Sequence, residues 1–549
     1  MIRVARSAGA PHRLAGRTLA ALSCAAPLLQ ACAQAPPPTA GDWRDGGVCY
    51  EIFVRSFMDS DGDGIGDLEG LIRKLDYVND GDATTMNDLG ARCIWLMPIS
   101  PASSYHGYDV TDYYHVDPAY GTNDDFMRLI ADAHRRGIGV LIDMVINHSS
   151  SEHPFFRHAL LFPDSPWREW YRWGAEQGPP NEWGGYNWHR SPFRDEYYFG
   201  FFSSGMPDLN WGTPAVREEM KRVATFWLRD LGADGLRLDA VRHLLEDGDR
   251  TANVPATHDA LREYGAHIRS VAPDAFTIGE VFDSTDVLMA YYADQLDAYF
   301  AFEISNAILD AVRSGSSTVL LDKVVALQKA VPSNRWAPFL RNHDQTRTMT
   351  WLEGDVARAK LAATLLLTLP GVPFVYYGEE IGMTGDKPDP RLRTPMHWND
   401  GPAAGFTSGV PWEPLQPDSA TANVEAMEAD PASLLNLYRR LIHVRAANAA
   451  LGAGELIPLD AGTAQAAAYL RSTGTDIALV IANLGTTPLM QITLSSRQGA
   501  LAEGRYSPQV LLGDGPAAQL EVGADGRIAD WGPMPALAPF ETRIFQLTR

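Results

Sequence analysis

Three carboxylate side chains each come at the end of, or shortly after, an apolar stretch of the chain. Asp239 and Glu280 end two such stretches, and Asp344 follows a third. An ionised carboxylate can attack the anomeric carbon of a sugar while a second, protonated one donates to the leaving oxygen. Unpaired buried charge is costly, so acids at these positions indicate chemistry rather than stability. A solvated loop position would explain any one of them, but it explains the set poorly.

Basic side chains accompany these acids. Arg237 lies two residues before Asp239, so on a strand both point to the same side and the guanidinium would keep the carboxylate ionised. Glu280 would need a raised pKa, which burial and nearby negative charge supply. The third carboxylate would bind sugar hydroxyls near the reacting ring, and His148 and His343 are suitable donors to such hydroxyls. Metal ligation by the His and Asp residues is the competing interpretation, and it accounts less well for the arginine.

A second group of acids lies in residues 59–67, which read Asp-Ser-Asp-Gly-Asp-Gly-Ile-Gly-Asp. Oxygen ligands at alternate positions with interleaved glycines suit a hard cation such as Ca²⁺. The stretch opens like an EF-hand loop, but its glycines are spaced differently and no helix flanks it cleanly, so an EF-hand sensor is not expected. Closely spaced carboxylates would repel one another without a cation, which disfavours a plain solvated turn.

The elements that must position these residues are short apolar runs, which alternate with helical patterns from about residue 48 to about residue 445. The eight runs are residues 48–54, 93–97, 139–145, 235–239, 276–280, 298–302, 337–340 and 373–376. Continuous apolar strands separated by helices indicate a parallel sheet buried on both faces. Eight such units predict an α/β fold, a closed (β/α)₈ TIM barrel, with catalytic groups at the carboxyl ends of the strands.

Two regions depart from this alternation. Residues 148–211 are rich in Trp, Tyr, Pro and Gly and have no clear helical period, and we interpret them as a subdomain inserted after the third strand. The barrel would then comprise residues 45–147 and 212–448. From about residue 449 onwards, strand-like runs separated by turn residues predict a C-terminal all-β sandwich domain over residues 449–549.

The N-terminus has the layout of an export signal. Four arginines precede a short apolar run that ends Leu29-Gln-Ala-Cys32, and this run is too short to span a membrane stably. We interpret residues 1–32 as a signal peptide of the lipoprotein type, because its ending resembles a lipobox in which Cys32 is acylated. A plain signal peptide cleaved nearby is the alternative. Residues 33–44 would be a Pro-rich tether, so we predict an exported protein, anchored through Cys32 in the periplasm, at the outer membrane or at the cell surface.

The net charge and the apolar segments limit which partners the protein can bind. A net charge of −22 argues against nucleic acid, whose binding requires neutralisation of phosphates by Lys and Arg, and it is compatible with a neutral sugar polymer. No further segment is long and apolar enough to predict a membrane span, so membrane contact is expected only through the lipid anchor, and a monomer is expected.

Cys49 and Cys93 lie in strand-like runs, where a disulfide and two buried thiols are equally consistent with the sequence.

Four segments around the chemical residues form one set. They are Asp143-Met-Val-Ile-Asn-His148, Gly235-Leu-Arg-Leu-Asp-Ala-Val-Arg-His243, Gly279-Glu-Val281 and Phe339-Leu-Arg-Asn-His-Asp344. Together, and in this order, they resemble the sequence regions of the α-amylase family of retaining glycoside hydrolases. No single segment is specific, but the set is, and the resemblance extends from about residue 49 to the C-terminus. It implies Asp239 as nucleophile, Glu280 as general acid/base and Asp344 as transition-state stabiliser.

The resemblance also implies which residues surround the substrate and a cation. Tyr108 would be a stacking platform under the reacting sugar. The other residues expected at the substrate site are Asp143, His148, Arg237, Arg242, His243 and His343. In the family a similar loop after the first strand binds structural Ca²⁺, and the corresponding ligands here are Asp59, Asp61, Asp63, the carbonyl of Ile65, and Asp67.

Two details refine the expected subgroup. Residues 206–210, Met-Pro-Asp-Leu-Asn, resemble the form found in members intermediate between oligo-1,6-glucosidases and neopullulanases, some bacterial α-amylase lipoproteins among them. Three residues before Tyr108, exo-acting α-glucosidases commonly carry an Asp that grips the non-reducing end of the substrate. This chain has Tyr105 there, which favours an open cleft.

The expected function is therefore that of an α-amylase, which hydrolyses internal α-1,4 bonds of starch and maltooligosaccharides. The alternatives within the same family are a cyclodextrin- or pullulan-degrading enzyme, an α-glucosidase and a transglycosylase. The alternative from another class is a non-catalytic glucan-binding protein that has kept the fold. A complete set of three carboxylates favours an enzyme over that alternative.

Overall fold

The computed structural model describes residues 43–549 apart from residues 45, 182, 183 and 293. The predicted signal peptide, Cys32 and nearly all of the predicted tether therefore lie outside the described residues. Within the described part of the chain, no helix is both long and apolar enough to cross a membrane.

The strands of the described chain belong to one parallel and several antiparallel sheets. They are β1 Cys49–Ile52, β2 Cys93–Leu96, β3 Gly139–Met144, β4 Trp173–Gly174, β5 Trp188–Arg190, β6 Tyr197–Phe199, β7 Gly235–Leu238, β8 Phe276–Gly279, β9 Ala298–Phe300, β10 Trp336–Ala337, β11 Phe374–Tyr376, β12 Glu455–Pro458, β13 Ala466–Ser472, β14 Ile477–Asn483, β15 Leu489–Met490, β16 Gly504–Leu512, β17 Leu520–Val522, β18 Ala536–Leu537 and β19 Thr542–Thr548.

Helices separate the strands of the parallel sheet. The α-helices of the described chain are α1 Val54–Phe57, α2 Leu68–Arg73, α3 Leu75–Val78, α4 Asn123–Arg135, α5 Pro154–Leu161, α6 Pro214–Thr225, α7 Pro255–Val271, α8 Thr285–Leu288, α9 Phe302–Ser314, α10 Thr318–Ala330, α11 Thr348–Trp351, α12 Val356–Thr368, α13 Val424–Glu428, α14 Leu434–Ala447 and α15 Ala449–Ala453.

Eight strands form the parallel sheet, in the order β10-β9-β8-β7-β3-β2-β1-β11. A parallel bridge between Phe339 and Phe374 joins its two edges, so the sheet closes on itself. Each of the eight predicted apolar runs contains or overlaps one of these strands. The predicted (β/α)₈ barrel is therefore confirmed, and its strands are apolar because helices cover them outside while side chains fill them inside.

The interior of the barrel holds a cluster of large apolar side chains, which includes Trp95, Leu141 and Phe276. Cys49 and Cys93 lie in the same cluster, face each other as the first residues of β1 and β2, and form a disulfide. Of the two possibilities that the sequence left open, the structure therefore has the disulfide. It lies at the amino ends of the strands, opposite the end where the predicted catalytic residues are.

The segment between β3 and β7 contains the predicted insertion, with a three-stranded antiparallel sheet in the order β4-β6-β5. Its aromatic side chains pack on one another, for example Phe156 against Tyr171 and Tyr198 at centroid distances of 4.9 Å. It also contains α5, a helix that the sequence reading missed. His153 accepts the N–H of Phe155, and Pro154 occupies the first helical position. These helix-start residues are visible in the sequence, but the many aromatic residues of the segment obscure its helical period.

The C-terminal part is all-β from Glu455 onwards, as predicted, but α15 Ala449–Ala453 lies inside the predicted range of residues 449–549. Six strands form an antiparallel sheet in the order β12-β13-β14-β19-β16-β17, and β15 pairs with β18. These strands enclose an apolar cluster of their own, with Leu479, Phe545 and Trp531 among its members.

Candidate active site

Arg237 is the centre of the site at the carboxyl ends of the barrel strands. Its Nη1 lies 2.8 Å from Asp143 Oδ1 and 2.7 Å from Asp239 Oδ1, and its Nη2 lies 2.7 Å from Glu280 Oε2. The side chain is 1% exposed. A guanidinium presents its donors in a fixed fork, so one buried cation holds carboxylates from three neighbouring strands and offsets the cost of burying them.

Strand register explains why these side chains meet. Asp143 of β3 is paired with Arg237 of β7, and Leu238 is paired with Gly279 of β8, one residue before Glu280. Immediately after Asp239 the backbone of Ala240 is left-handed, with φ of 49°, and its N–H lies 3.3 Å from Glu280 Oε2. Non-glycine residues rarely adopt this conformation, and such strain is concentrated at functional sites.

Asp344 approaches from the other side of the barrel mouth. Its Oδ2 lies 3.2 Å from His343 Nε2, and its Oδ1 accepts a hydrogen bond of 2.7 Å from Arg393 Nη2. The side chain remains partly exposed, whereas His343 and Arg393 are buried. Two buried cationic partners therefore orient a carboxylate that still faces the cleft.

Tyr108 connects the two halves of the site. Its hydroxyl donates to Asp143 Oδ2 at 2.9 Å and lies 2.7 Å from His343 Nε2. The tyrosine and imidazole rings stack at 5.5 Å with an angle of 14° between their planes. These contacts fix the ring of Tyr108 in the wall of the cleft, which is the geometry that a platform for a sugar ring requires.

The environment separates the pKa values of the carboxyls. Burial raises the pKa of Asp239 to about 6 and that of Glu280 to about 7, and in both cases Arg237 acts in the opposite direction. The negative charges of Asp239 and Asp344 raise the pKa of Glu280 further. Two neighbouring acids with different pKa values can act as an ionised nucleophile and a protonated acid at the same pH.

The pKa values of Asp344 and His343 move in opposite directions. Partial burial would raise the pKa of Asp344, but the charges of His343 and Arg393 outweigh it and hold that pKa well below its usual range. Burial alone would lower the pKa of His343, but Asp344 and Glu51 raise it to about 10. Asp344 is therefore a permanent anion near neutral pH, and His343 a permanent cation.

Two adjoining cavities open at these carboxylates and share Glu280 and Asp344 in their linings. The larger, of about 530 Å³, is lined by Phe202, Ala240, Arg242, His243, Glu280, Phe282, Asp283, Phe302, Asn342, Asp344 and Gln345. The smaller, of about 250 Å³, is lined by His106, Tyr108, His148, Phe202, Met206, Asp239, Ala240, Glu280, Asp344, Asp389 and Arg393. A substrate that spans both cavities would have its scissile bond beside the acids.

Some residues that we predicted at the substrate site line these cavities. His148 donates from Nε2 to the carbonyl of Tyr108 at 3.0 Å. His243 stacks on Phe201 at 3.9 Å, and Arg242 pairs with Asp283 at 3.3 Å. Arg242 and His243 therefore lie where a sugar could contact them, whereas His148 borders the smaller cavity but is only 1% exposed.

Other predicted substrate contacts are covered. The side chains of Asp143 and His343 are 0% exposed and that of Arg237 is 1% exposed. Because they are enclosed by the barrel strands, they contact the predicted catalytic acids and Tyr108 rather than presenting their polar atoms to the cleft. The structure thus places them one layer behind the residues that line it.

Two residues that hold the predicted catalytic groups in place, Arg393 and Glu51, were not among the predictions. Arg393 follows the last barrel strand and contacts Asp344. Glu51 lies on β1, is 2% exposed, and its Oε1 is 2.5 Å from His343 Nδ1. A carboxylate in the middle of an apolar run, residues 48–54, was the available signal for Glu51, since an unpaired charge is not stable there.

The acidic loop of residues 59–67 forms a group suited to a cation. Ligand oxygens of Asp59, Asp61 and Asp67 lie within 4.8 Å of one another. Burial would raise the pKa of Asp59, but hydrogen bonds from Thr407 and from backbone N–H groups outweigh it and lower the pKa. Asp63 is not in this group, and its Oδ1 accepts the N–H of Ile65. Three ionisable oxygen ligands at this spacing fit a hard cation.

A closed barrel with paired acids at the carboxyl ends of its strands is the architecture of barrel enzymes that use two carboxylates, such as glycoside hydrolases. The family described as alpha amylase, catalytic domain, matches residues 51–454. The chain belongs to this family, the α-amylase family of glycoside hydrolases.

Individual relatives have more than one named activity. Alpha-amylase 3 of Dictyoglomus thermophilum is 39% identical over 420 residues, covering 75% of this chain and 80% of that protein. The oligo-1,6-glucosidase of Parageobacillus thermoglucosidasius is 32% identical over 529 residues, covering 82% of this chain and 92% of that protein. The crystal structure of the α-amylase from H. orenii superposes with a TM-score of 0.81 at 37% identity, covering 92% of this chain and all of that one.

Proposed function

We propose that this protein is an α-amylase that hydrolyses internal α-1,4 bonds of starch and maltooligosaccharides with retention of configuration. Asp239 attacks the anomeric carbon, and the C1–O bond to the leaving sugar breaks as Glu280 transfers its proton to that oxygen. Water then attacks the resulting glycosyl ester while Glu280 takes up the water proton, which frees Asp239. The pKa of Glu280, raised by burial to about 7 and so above that of Asp239 at about 6, supports this division of roles.

The other residues of the site act on the sugar that carries the reacting carbon. Asp344, an anion beside the cleft, accepts hydrogen bonds from its hydroxyls and favours its distortion towards the transition state. Tyr108 supplies a flat face for the ring, and His148 lies on the same cavity wall. Asp143 and His343 act through Arg237, Tyr108 and Asp344.

The observation that carries the assignment of internal cleavage is the environment of Tyr105. Its ring stacks on Trp412 at 5.2 Å with an angle of 27°, and its hydroxyl lies 3.4 Å from Arg393 Nη1. The stacked pair of Tyr105 and Trp412 therefore occupies the position where exo-acting relatives commonly have a carboxylate that binds the non-reducing end of the substrate. Such a surface can stack on a further glucose unit instead of ending the site.

The product pattern from maltoheptaose tests this assignment. The wild type should release a mixture of short maltooligosaccharides, separable by chromatography, and both Asp239→Asn and Glu280→Gln should strongly reduce its rate of release. Glucose released singly would show an exo-glucosidase instead. The absence of any product from folded, calcium-loaded wild type would contradict the proposed hydrolase.

Glucosyl transfer is a second candidate activity, favoured by the larger cavity. Phe202, Phe282 and Phe302 line it beside Glu280, and Phe282 is 60% exposed. An acceptor sugar can stack on such rings, whereas water gains nothing from them. Products longer than the substrate, formed at high maltooligosaccharide concentration, would support transfer.

Calcium is the proposed structural cofactor. Asp59, Asp61 and Asp67 would hold it, and family resemblance adds Asp63 and the carbonyl of Ile65. A bound Ca²⁺ would neutralise the converging carboxylates and fix the loop. It has no proposed part in bond cleavage.

Export and lipid anchoring at Cys32 are proposed from the N-terminal sequence, and the disulfide between Cys49 and Cys93 supports an oxidising compartment. Mass spectrometry of the mature protein from its native host should find an acylated Cys32 as the first residue. A mature N-terminus elsewhere, without acyl chains, would contradict anchoring. The protein is further proposed to be a monomer, which light scattering of the purified chain would test.

A further inference from the structure

Glu51 is a buried carboxylate that the proposed reaction does not use directly. It lies on β1, with Trp95 of β2 and Tyr376 of β11 as its register partners. It is two residues after Cys49 and therefore points into the barrel on the same side. Its Oε1 lies 2.5 Å from Nδ1 of His343, and both residues are almost completely buried.

The hydrogen bonds around His343 determine where its protons are. A carboxylate such as Glu51 accepts hydrogen bonds when ionised, so Nδ1 donates to it. On the other side of the ring, Tyr108 uses its only hydroxyl proton for Asp143. Its oxygen, 2.7 Å from Nε2, therefore accepts from the imidazole. Both ring nitrogens carry a proton, and the ring is a cation.

We infer that Glu51 is a positioning residue for the reaction, which holds His343 in its doubly protonated form so that Nε2–H fixes Tyr108 and Asp344. The inference rests on the proposed role of Asp344 as the group that stabilises the transition state. A neutral His343 could keep only one of its two N–H bonds. The site would then lose the positive charge, together with either the bond from Nδ1–H to Glu51 or the Nε2–H that orients Asp344 and Tyr108.

Other charged groups around the pair act on the same equilibrium. The charged and titratable groups that face Glu51 and His343 are Tyr108, Asp143, Glu280, Asp344, Tyr376 and Arg393. Burial opposes the charge on His343, and Asp344 and Glu51 together raise its pKa to about 10. Glu51 is thus one of two anions that keep the ring charged, and the one that does not face the substrate.

The direct test is the protonation state of His343 in the full chain labelled with ¹⁵N-histidine. Ring-nitrogen signals that disappear in His343→Gln assign the residue. In the wild type both nitrogens should be protonated at about pH 8, and in Glu51→Gln the titration midpoint should fall by at least about one pH unit. A neutral ring at that pH in the wild type, or an unchanged midpoint in Glu51→Gln, overturns the inference. The wild-type measurement decides it even if the variant does not fold.

Kinetics with maltoheptaose distinguish positioning from a merely structural role. Glutamine keeps an oxygen acceptor but loses the charge, so kcat should fall about tenfold with a smaller change in KM. Glu51→Asp, which keeps the charge, should recover part of the loss. The matched control is Glu379→Gln, since Glu379 is also a buried carboxylate but accepts its hydrogen bonds from Thr348 and Tyr438.

Equal losses of kcat in Glu51→Gln and Glu379→Gln, or no recovery in Glu51→Asp, would overturn a positioning role. If the wild type hydrolyses no α-glucan, the proposed function fails, but the histidine titration still tests the charge state that Glu51 is inferred to maintain. The two failures are therefore distinguishable.

Discussion

At the scale of single residues, the chemistry depends on how one arginine divides its contacts. Arg237 bonds to Asp143, Asp239 and Glu280, so any change in the protonation of one acid alters the field at the others. Its charge opposes the rise in pKa that burial causes in both catalytic candidates. Substrate binding that displaces Glu280 from this contact would raise the pKa of Glu280 further and favour its role as the acid.

The pH dependence of activity follows from these pKa values. As the pH rises through about 6, Asp239 loses its proton and becomes the nucleophile, so kcat/KM should increase. As the pH rises through about 7, Glu280 loses the proton that it must donate, so kcat/KM should decrease. The result is a narrow bell-shaped profile, measurable with maltoheptaose between about pH 4 and pH 9.

The same measurement on Glu280→Gln tests the assignment of the alkaline limb. The variant should lose about 10²–10⁴-fold in kcat, and its residual activity should no longer fall near pH 7. The loss should be smaller for an aryl glucoside, because a good leaving group needs less protonation. An alkaline limb that persists unchanged in the variant would exclude Glu280 as the acid.

Tyr105 offers a second prediction at the residue scale. Tyr105→Asp would place a carboxylate near Arg393, whose Nη1 is 3.4 Å from the tyrosine hydroxyl, and would remove the stacking surface. The ratio of glucose to longer products from maltoheptaose should therefore increase severalfold, about what the loss of one stacking contact of ~1 kcal/mol allows.

The control is Tyr105→Phe, which keeps the ring on Trp412 and removes only the hydroxyl. Its product ratio should match that of the wild type. If Tyr105→Asp gives the wild-type ratio as well, this position does not decide between internal and terminal cleavage.

At the scale of elements, the acidic loop between α1 and α2 is tied to the segment after β11 that carries part of the cleft. The N–H of Asp59 donates to the carbonyl of Phe406 at 3.0 Å, and Trp412 donates from its backbone N–H to Gly64 at 3.0 Å. Gly64 has φ of +93°, and a Cβ there would meet the carbonyl of Val410 at 2.0 Å. The loop therefore helps to hold in place the segment after β11 that contains Trp412, the residue on which Tyr105 stacks.

Calcium should stabilise this connection. Chelator should lower the melting temperature, and added Ca²⁺ should restore it. An ion present at 100 times its Kd adds about 2.7 kcal/mol to the free energy of unfolding. Asp61→Asn should reduce the response. The measurement is thermal unfolding by circular dichroism with and without Ca²⁺.

The control is Asp82→Asn, in an exposed turn where Asp82 bonds to Thr84 and lies outside the acidic group of the loop. Its response to Ca²⁺ should equal that of the wild type. A melting temperature that is insensitive to chelator would count against a calcium site in residues 59–67.

At the scale of the whole molecule, the barrel separates stability from chemistry. The disulfide joins the first residues of β1 and β2, whereas Asp239 and Glu280 follow the last residues of β7 and β8. In (β/α)₈ barrels the amino ends of the strands serve stability and the carboxyl ends serve catalysis. Changes at one end can therefore leave the other intact.

Removal of the disulfide should show this separation. It closes a loop of 44 residues, so Cys49→Ala with Cys93→Ala should lower the free energy of unfolding by about 4 kcal/mol. Chemical denaturation measures that loss. The kcat for maltoheptaose at room temperature should stay close to that of the wild type, and a large loss of kcat in a folded variant would contradict the separation.

Several features of this protein follow from the sequence alone. Eight apolar runs predict the barrel strands because each strand must be covered on both faces, and this pattern is local. Acids at the ends of such runs predict the site because a barrel brings the ends of its strands together. The acidic loop predicts a cation group because its ligands are close in the chain.

Only the tertiary structure decided the remaining features, because they depend on residues far apart in the chain. The contact of Glu51 with His343, the stacking of Tyr105 on Trp412 and the pairing of Cys49 with Cys93 each require the folded arrangement. The pKa values of Asp239 and Glu280 likewise depend on burial and on the position of one guanidinium. The pattern of the chain specifies which residues can meet, and packing specifies which of them do.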